Sequence, residues 1–196
     1  MVVDKPAGLL CQPGLGSHQQ DSLISRLQLA CPALRLVHRL DRDTSGLVLL
    51  AKDPDMLRLL GMFFASRRVR KLYVADVQGQ MKNVSGLIGL PLARLKRQPP
   101  TYGVHPGGKA CVTLWRRLQL MENSTRLWLC PRTGRSHQLR AHLATLHHPI
   151  IGDPIYNHGC GAVGLRLRAM ALRFPDPDDP SGQVRVRAPW PAWFNA

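Results

Sequence analysis

Two alternating runs, "ACVTLWRRLQL" at 110–120 and "TRLWLC" at 125–130, lie on either side of the short turn "MENS". Side chains that alternate at period two suit a half-buried strand, and two such runs across a polar turn read as a β-hairpin. That pair commits the middle of the chain to an antiparallel sheet. Further strand-like runs are "LRLV", "LVLLA" and "RKLYVADVQG", then "LRLRAMALRF" and "QVRVRA" around the acidic loop "PDPDDPSG". Residues 2–3 enter a turn at "DKPAGLL", "QPGLGSHQQ" reads as loop, and residues 86–108 form an excursion rich in proline and glycine.

Three segments carry helical spacing. "DSLISRLQLAC" is capped by Asp21, shows Leu23, Ile24 and Leu27 on one face, and stops at Pro32. "DPDMLRLLGMFFAS" has Asp53 as N-cap and Pro54 at the first helical position. "SHQLRAHLATLH", opened by Arg135 and Ser136, has Leu139, Leu143 and Leu146 as its stripe. Strands in runs with a few inserted helices predict an α+β fold with a mixed, mostly antiparallel central sheet and flanking helices and loops. A length of 196 residues suits one domain, of one or two sub-lobes, spanning 1–196.

Charge narrows the partners. The formal net charge is +15, and arginine far outnumbers lysine. Guanidinium groups fork onto phosphates and stack on bases, so such a field points to nucleic acid. Aromatic residues make up 6%, too few for a broad single-strand stacking platform. No apolar run reaches the length of a membrane helix, and the start lacks the pattern of a signal peptide. The expectation is a soluble, cytoplasmic protein with no membrane partner. The five cysteines, Cys11, Cys31, Cys111, Cys130 and Cys160, are widely spaced without a C-x-x-C pair, and read as small core residues. His137 and His142 are five apart and do not share a helix face, so no metal site is expected.

The acidic residues can be sorted one by one. Glu122 sits in the hairpin turn; Asp21 and Asp53 read as caps, and Asp55 lies in a first helical turn. Asp176, Asp178 and Asp179 belong to the late loop, which leaves Asp4, Asp41, Asp43, Asp76 and Asp153 for chemistry. Asp41 stands out within "HRLDRDTSGLV". It opens onto a strand, and Arg39 and Arg42 favour its ionised form, which could serve as nucleophile or electrostatic stabiliser. The competing reading is a turn aspartate bonding the Thr44 or Ser45 amides. In "PRTGRSHQLRAH" the arginines precede a helix N-terminus suited to phosphate. Arg140 lies at the edge of the apolar stripe and needs a carboxylate, for which Asp41 is a candidate, unless it is a surface arginine whose stem covers the core. Lys71 and Tyr73 share one strand face; Tyr73 is either a base-stacking or proton-transfer group or a core residue.

Together these segments resemble the RluA family of pseudouridine synthases. "HRLDRDTSGLVLLAK" resembles its aspartate motif, "DKPAGLL" its first motif, "RKLYVADV" its lysine–tyrosine motif, and "GGKACVT" its glycine–lysine segment. "PRTGRSHQLRAHLATLHHPIIGDPIYN" resembles the third motif and its extension. The resemblance runs in family order over nearly the whole chain. It implies the pseudouridine synthase catalytic fold and an RNA isomerase that breaks the N1–C1′ bond of uridine, turns the uracil and rejoins it through C5, without cofactor or metal. It implies that Asp41 attacks C1′ or removes a C2′ proton, that Tyr73 stacks on the flipped base, and that Arg140 pairs with the aspartate. Arg39 would fill the space left by the base, and Lys71 and Arg135 would hold the RNA backbone or order the motif.

There are departures. Asp4 replaces the usual asparagine, Ala110 and Cys111 replace proline and alanine, and Arg168 stands where histidine is common. Relatives usually have a strand upstream, and many carry an N-terminal S4 domain that is not expected here. The predicted substrate is a stem-loop of large-subunit ribosomal RNA, transfer RNA or both, bound by a monomer. The main rival is a non-catalytic RNA-binding or ribosome-assembly protein that keeps the fold. An aspartate-nucleophile hydrolase would need metal-ligand carboxylates beside Asp41, and no such motif is evident.

Overall fold

The computed structural model describes residues 1–97, 100–157, 164–179 and 181–195, so Cys160 lies outside the described residues. In chain order the strands are β1 (Val2–Lys5), β2 (Arg35–Leu36), β3 (Ser45–Ala51), β4 (Arg70–Gln78), β5 (Ser85–Ile88), β6 (Leu92–Lys96), β7 (Thr101–Val104), β8 (Thr113–Leu120), β9 (Ser124–Pro131), β10 (Leu167–Pro175) and β11 (Gln183–Arg187). The helices are α1 (Leu23–Gln28), α2 (Pro54–Ala65) and α3 (Gln138–Thr145). The chain forms two compact units, one of Met1–Lys71 with Ala169–Ala196, the other of Leu72–Arg168.

In the first unit β1 and β2 both pair antiparallel with β3, β10 lies beside β3, and β11 pairs antiparallel with β10. Helix α2 covers one face of this sheet. Its Leu60 and Phe63 pack with Leu47, Leu49 and Ala51 of β3 and Leu172 and Phe174 of β10. Asp53 caps α2 as expected, its Oδ1 accepting from the Met56 amide at 2.7 Å, with Pro54 at the first position. Gly46 enters β3 at φ 111°, and a Cβ there would lie 2.3 Å from the Ala169 carbonyl oxygen. Only glycine admits that backbone approach.

In the second unit β4, β9, β8 and β5 are joined by antiparallel pairings, with a register irregularity between Arg117 and Gln119. The β8–β9 pair is the hairpin expected from its alternation. Strands β6 and β7 form a separate two-stranded sheet. Asp76 is fully buried, with Arg126 on both its oxygens at 2.7 and 3.0 Å and Arg166 at 3.2 Å.

Residues 2–3 lead toward the turn at Ala7–Gly8 as part of β1, which runs to Lys5 and is held by its antiparallel register with β3, Val2 opposite Leu49 and Lys5 opposite Gly46. Two expectations need correction. Asp21 is not the cap of α1. Ser22 is, in a capping box with Ser25, while Asp21 forms an exposed ion pair with Arg26. Arg135 and Ser136 do not open α3. The helix begins at Gln138 after His137, which has left-handed backbone at φ 53°. The proline- and glycine-rich excursion contains most of β5 and all of β6 and β7.

Candidate active site

Asp41 lies in the loop between β2 and β3, half-buried at the mouth of the strand that follows. Side chains from the N-terminal segment hold both its neighbours. On one side the Cys11 thiol bridges Leu40, its Sγ accepting from the Leu40 amide at 3.2 Å and donating to the Leu40 carbonyl at 3.3 Å. On the other side the Lys5 ammonium donates to the Arg42 carbonyl at 2.8 Å, and to the carbonyls of Pro6 and Leu9 at 2.8 Å each. Lys5 is fully buried, so its three donors meet three backbone acceptors in place of water. Burial pulls its pKa below the ordinary lysine value, while Cys11, Asp43 and Asp41 oppose that shift. The Thr44 amide closes the turn on the Asp41 carbonyl at 3.2 Å.

The other charges of the motif separate. Arg42 forks onto Asp43 at 2.9 and 3.2 Å, and Arg39 is exposed. His38 is a strut. Its Nε2 accepts from the Leu49 amide at 3.0 Å, and its ring stacks on Phe64 at 4.9 Å. Burial, reinforced by the Lys71 charge, lowers its pKa to about 4, so the ring is neutral. Lys71 is half-buried, and desolvation lowers its own pKa. That placement beside His38 suits a residue that orders the motif.

In the second unit Tyr73 is buried on β4 opposite Leu129. Arg140 is buried on α3, and its Nε and Nη2 donate to the two oxygens of Asp153 at 2.7 and 2.8 Å. Asp153 Oδ1 also accepts from the amides of Ile155 and Tyr156 at 2.9 and 3.1 Å. The Arg140 guanidinium lies over the Tyr156 ring, 5.3 Å from its centroid. The Tyr156 hydroxyl accepts from the Tyr102 amide of β7 at 2.9 Å and bonds His137 Nδ1 at 3.0 Å. Sequence reasoning does not single out Tyr156 or His137 for this role; their only signal is their place in the long third-motif segment. Arg135 is exposed, and its amide donates to the Gln138 side chain at 3.0 Å.

Among the described residues no group of three or more His, Cys, Asp or Glu is placed to hold a metal. His142 is buried between Thr113 Oγ1 and the Leu90 carbonyl, and burial lowers its pKa. The Asp41 loop presents a carboxylate from a turn whose backbone is anchored on both sides. That arrangement can serve a nucleophile or a proton acceptor toward an anionic substrate.

The family model described as RNA pseudouridylate synthase matches residues 1–145. The "Dual-specificity RNA pseudouridine synthase RluA" of Yersinia pestis is 38% identical over 183 residues, covering 91% of this chain and 89% of the relative. The protein of the same name from Escherichia coli (strain K12) is 40% identical over 175 residues, covering 88% of this chain and 77% of the relative. The solved structure "Human RNA Pseudouridylate Synthase Domain Containing 1" is 26% identical with a TM-score of 0.81, covering 97% of this chain and 79% of that one.

Proposed function

The chain belongs to the RNA pseudouridylate synthase family and is an isomerase, and from that premise we propose how it acts and on which RNA. Asp41 is the essential carboxylate, attacking C1′ of the target uridine or removing its C2′ proton. The N1–C1′ bond breaks, the uracil turns, the C5–C1′ bond forms, and the C5 proton is lost as N1 gains one. Tyr73 stacks on the uracil, and Arg140 gives charge support to the carboxylate. Arg39 fills the space the flipped base leaves. Arg135 contacts the RNA backbone, and Lys71 orders the motif. The substrate is a stem-loop of large-subunit ribosomal RNA, of transfer RNA, or of both, in keeping with the dual specificity named for the relatives. The protein acts in the cytoplasm as a monomer.

One observation carries this reading. Of the candidate carboxylates, Asp41 is the one whose two chain neighbours are each fixed by a buried side chain, Cys11 on Leu40 and Lys5 on Arg42. The test is pseudouridine mapping at nucleotide resolution in transcribed ribosomal RNA fragments and a transfer RNA set, for wild type and Asp41→Asn. Site-specific product from wild type alone supports the assignment. Equal product from Asp41→Asn removes Asp41 from the chemistry. RNA binding without product from folded wild type supports the non-catalytic alternative.

A further inference from the structure

Strands β10 and β11 carry an arginine stripe that the reaction does not use. Arg173 lies directly opposite Arg185 in register, and Arg187, two residues along β11, lies opposite Ala171. All three are exposed. Their strand neighbours Leu172, Phe174, Val184 and Val186 pack toward α2, so alternation turns the arginines to the other face of the sheet. Directly opposed like charges destabilise an antiparallel pair. Among the described residues none of the three side chains has an ion-pair or hydrogen-bond partner. The acidic loop between the strands does not neutralise them. Asp176 accepts from the Asp178 amide at 3.0 Å, and Asp179 from the Ser181 amide and hydroxyl at 2.9 and 2.7 Å.

We propose that Arg173, Arg185 and Arg187 form a docking stripe for the phosphate backbone of the RNA substrate. The proposal rests on the reading of the protein as an RNA-modifying enzyme. Alternate residues of a strand stand about 6.8 Å apart, a spacing comparable to that of successive phosphates. Guanidinium groups bind phosphate oxygens through paired donors. Protection of an edge strand is the simpler use of charge, since charged side chains deter edge-to-edge pairing. It accounts for Arg185 and Arg187 on β11. It does not account for Arg173 on the inner strand, set against Arg185. A polyanion accounts for all three, because it converts their mutual repulsion into shared attraction.

The test is the salt dependence of RNA binding. Labelled, unfractionated bacterial transfer RNA is titrated with wild type, with the triple variant Arg173→Gln/Arg185→Gln/Arg187→Gln, and with a charge-matched control, Arg35→Gln/Lys52→Gln/Arg58→Gln. Each lost phosphate contact should lower the slope of log K against log salt by about 0.7 to 0.9. The stripe variant should therefore lose roughly 2 to 3 in slope, and the control much less. Its melting temperature at low salt should be unchanged or higher, since repulsion is relieved. Equal losses in both variants, or none in the stripe variant, would overturn the proposal. So would an effect confined to vesicles of phosphatidylserine and phosphatidylcholine, run in parallel. Repeating the titration on an Asp41→Asn background separates this result from any failure of the catalytic reading, because binding is measured without chemistry.

Discussion

Lowering the pH should unlock the strut beneath the Asp41 motif. His38 Nε2 accepts a hydrogen bond from the Leu49 amide, so the ring must stay unprotonated at that nitrogen. The unfolded chain protonates His38 near its ordinary 6.5, whereas the folded protein resists until about 4. Between those values the unfolded state binds more protons, so stability rises with pH across the window. The contribution is complete above about 6.5 and is lost as pH falls toward 4. At about 1.4 kcal/mol per pH unit, the gap is worth roughly 3 kcal/mol. Other groups titrate in the same range, so the measurement is a difference. Urea unfolding of wild type and His38→Gln is compared at steps from about pH 7.5 to about pH 4, using about half-unit intervals. Glutamine can still accept from the Leu49 amide but does not titrate, and the lost stacking on Phe64 adds only a constant offset. Wild type should lose about 3 kcal/mol more than the variant between the two ends. Parallel curves would refute the reasoning, as would an imidazole resonance showing His38 protonated near its ordinary pKa.

Three shorter expectations concern the framework. Lys5→Met removes three charge-assisted hydrogen bonds but also the cost of burying an ammonium; a net loss of about 2–4 kcal/mol and a fall in kcat larger than any change in KM are expected from unfolding curves and single-turnover assays. Asp153→Asn removes the buried charge that the Arg140 guanidinium forks onto, which should cost about 3–5 kcal/mol in the same unfolding assay; a loss under about 1 kcal/mol would show that this pair contributes little to the framework. Gly46→Ala forces a Cβ into the Ala169 carbonyl from an unfavourable φ, and soluble yield and melting temperature should both fall sharply.

Much of the fold was legible because local signals agreed with it. The β8–β9 hairpin and α2 with its Asp53 cap follow from period, turn and cap chemistry alone. The failures have physical causes. The four residues of β1 are too few to show a period, and their strand state comes from pairing with β3. Asp21 and Ser22 are both good caps, and the reciprocal bonds of Ser25 decide for Ser22. The start of α3 depends on the left-handed backbone of His137, a conformation that sequence spacing does not report.

The carboxylates show the same limit at the site. In a chain of +15 charge, proximity in sequence does not reveal which aspartate answers which arginine. On sequence alone Asp76 and Asp153 stay among the candidates, although Asp41 stands out beside its arginines. The structure gives each a forked guanidinium, Arg126 for Asp76 and Arg140 for Asp153, at separations of 50 and 13 residues. Those pairs satisfy buried charge, which a framework needs before it can hold anything still. Asp43 takes Arg42 one residue away. Asp41 is distinguished by a different feature, the anchoring of the peptide groups on both sides of it. A residue that must meet a substrate atom needs a fixed backbone more than a buried side chain. Lys5 reaches Arg42 across 37 residues and Cys11 reaches Leu40 across 29, which explains why no local pattern around Asp41 could have pointed to them.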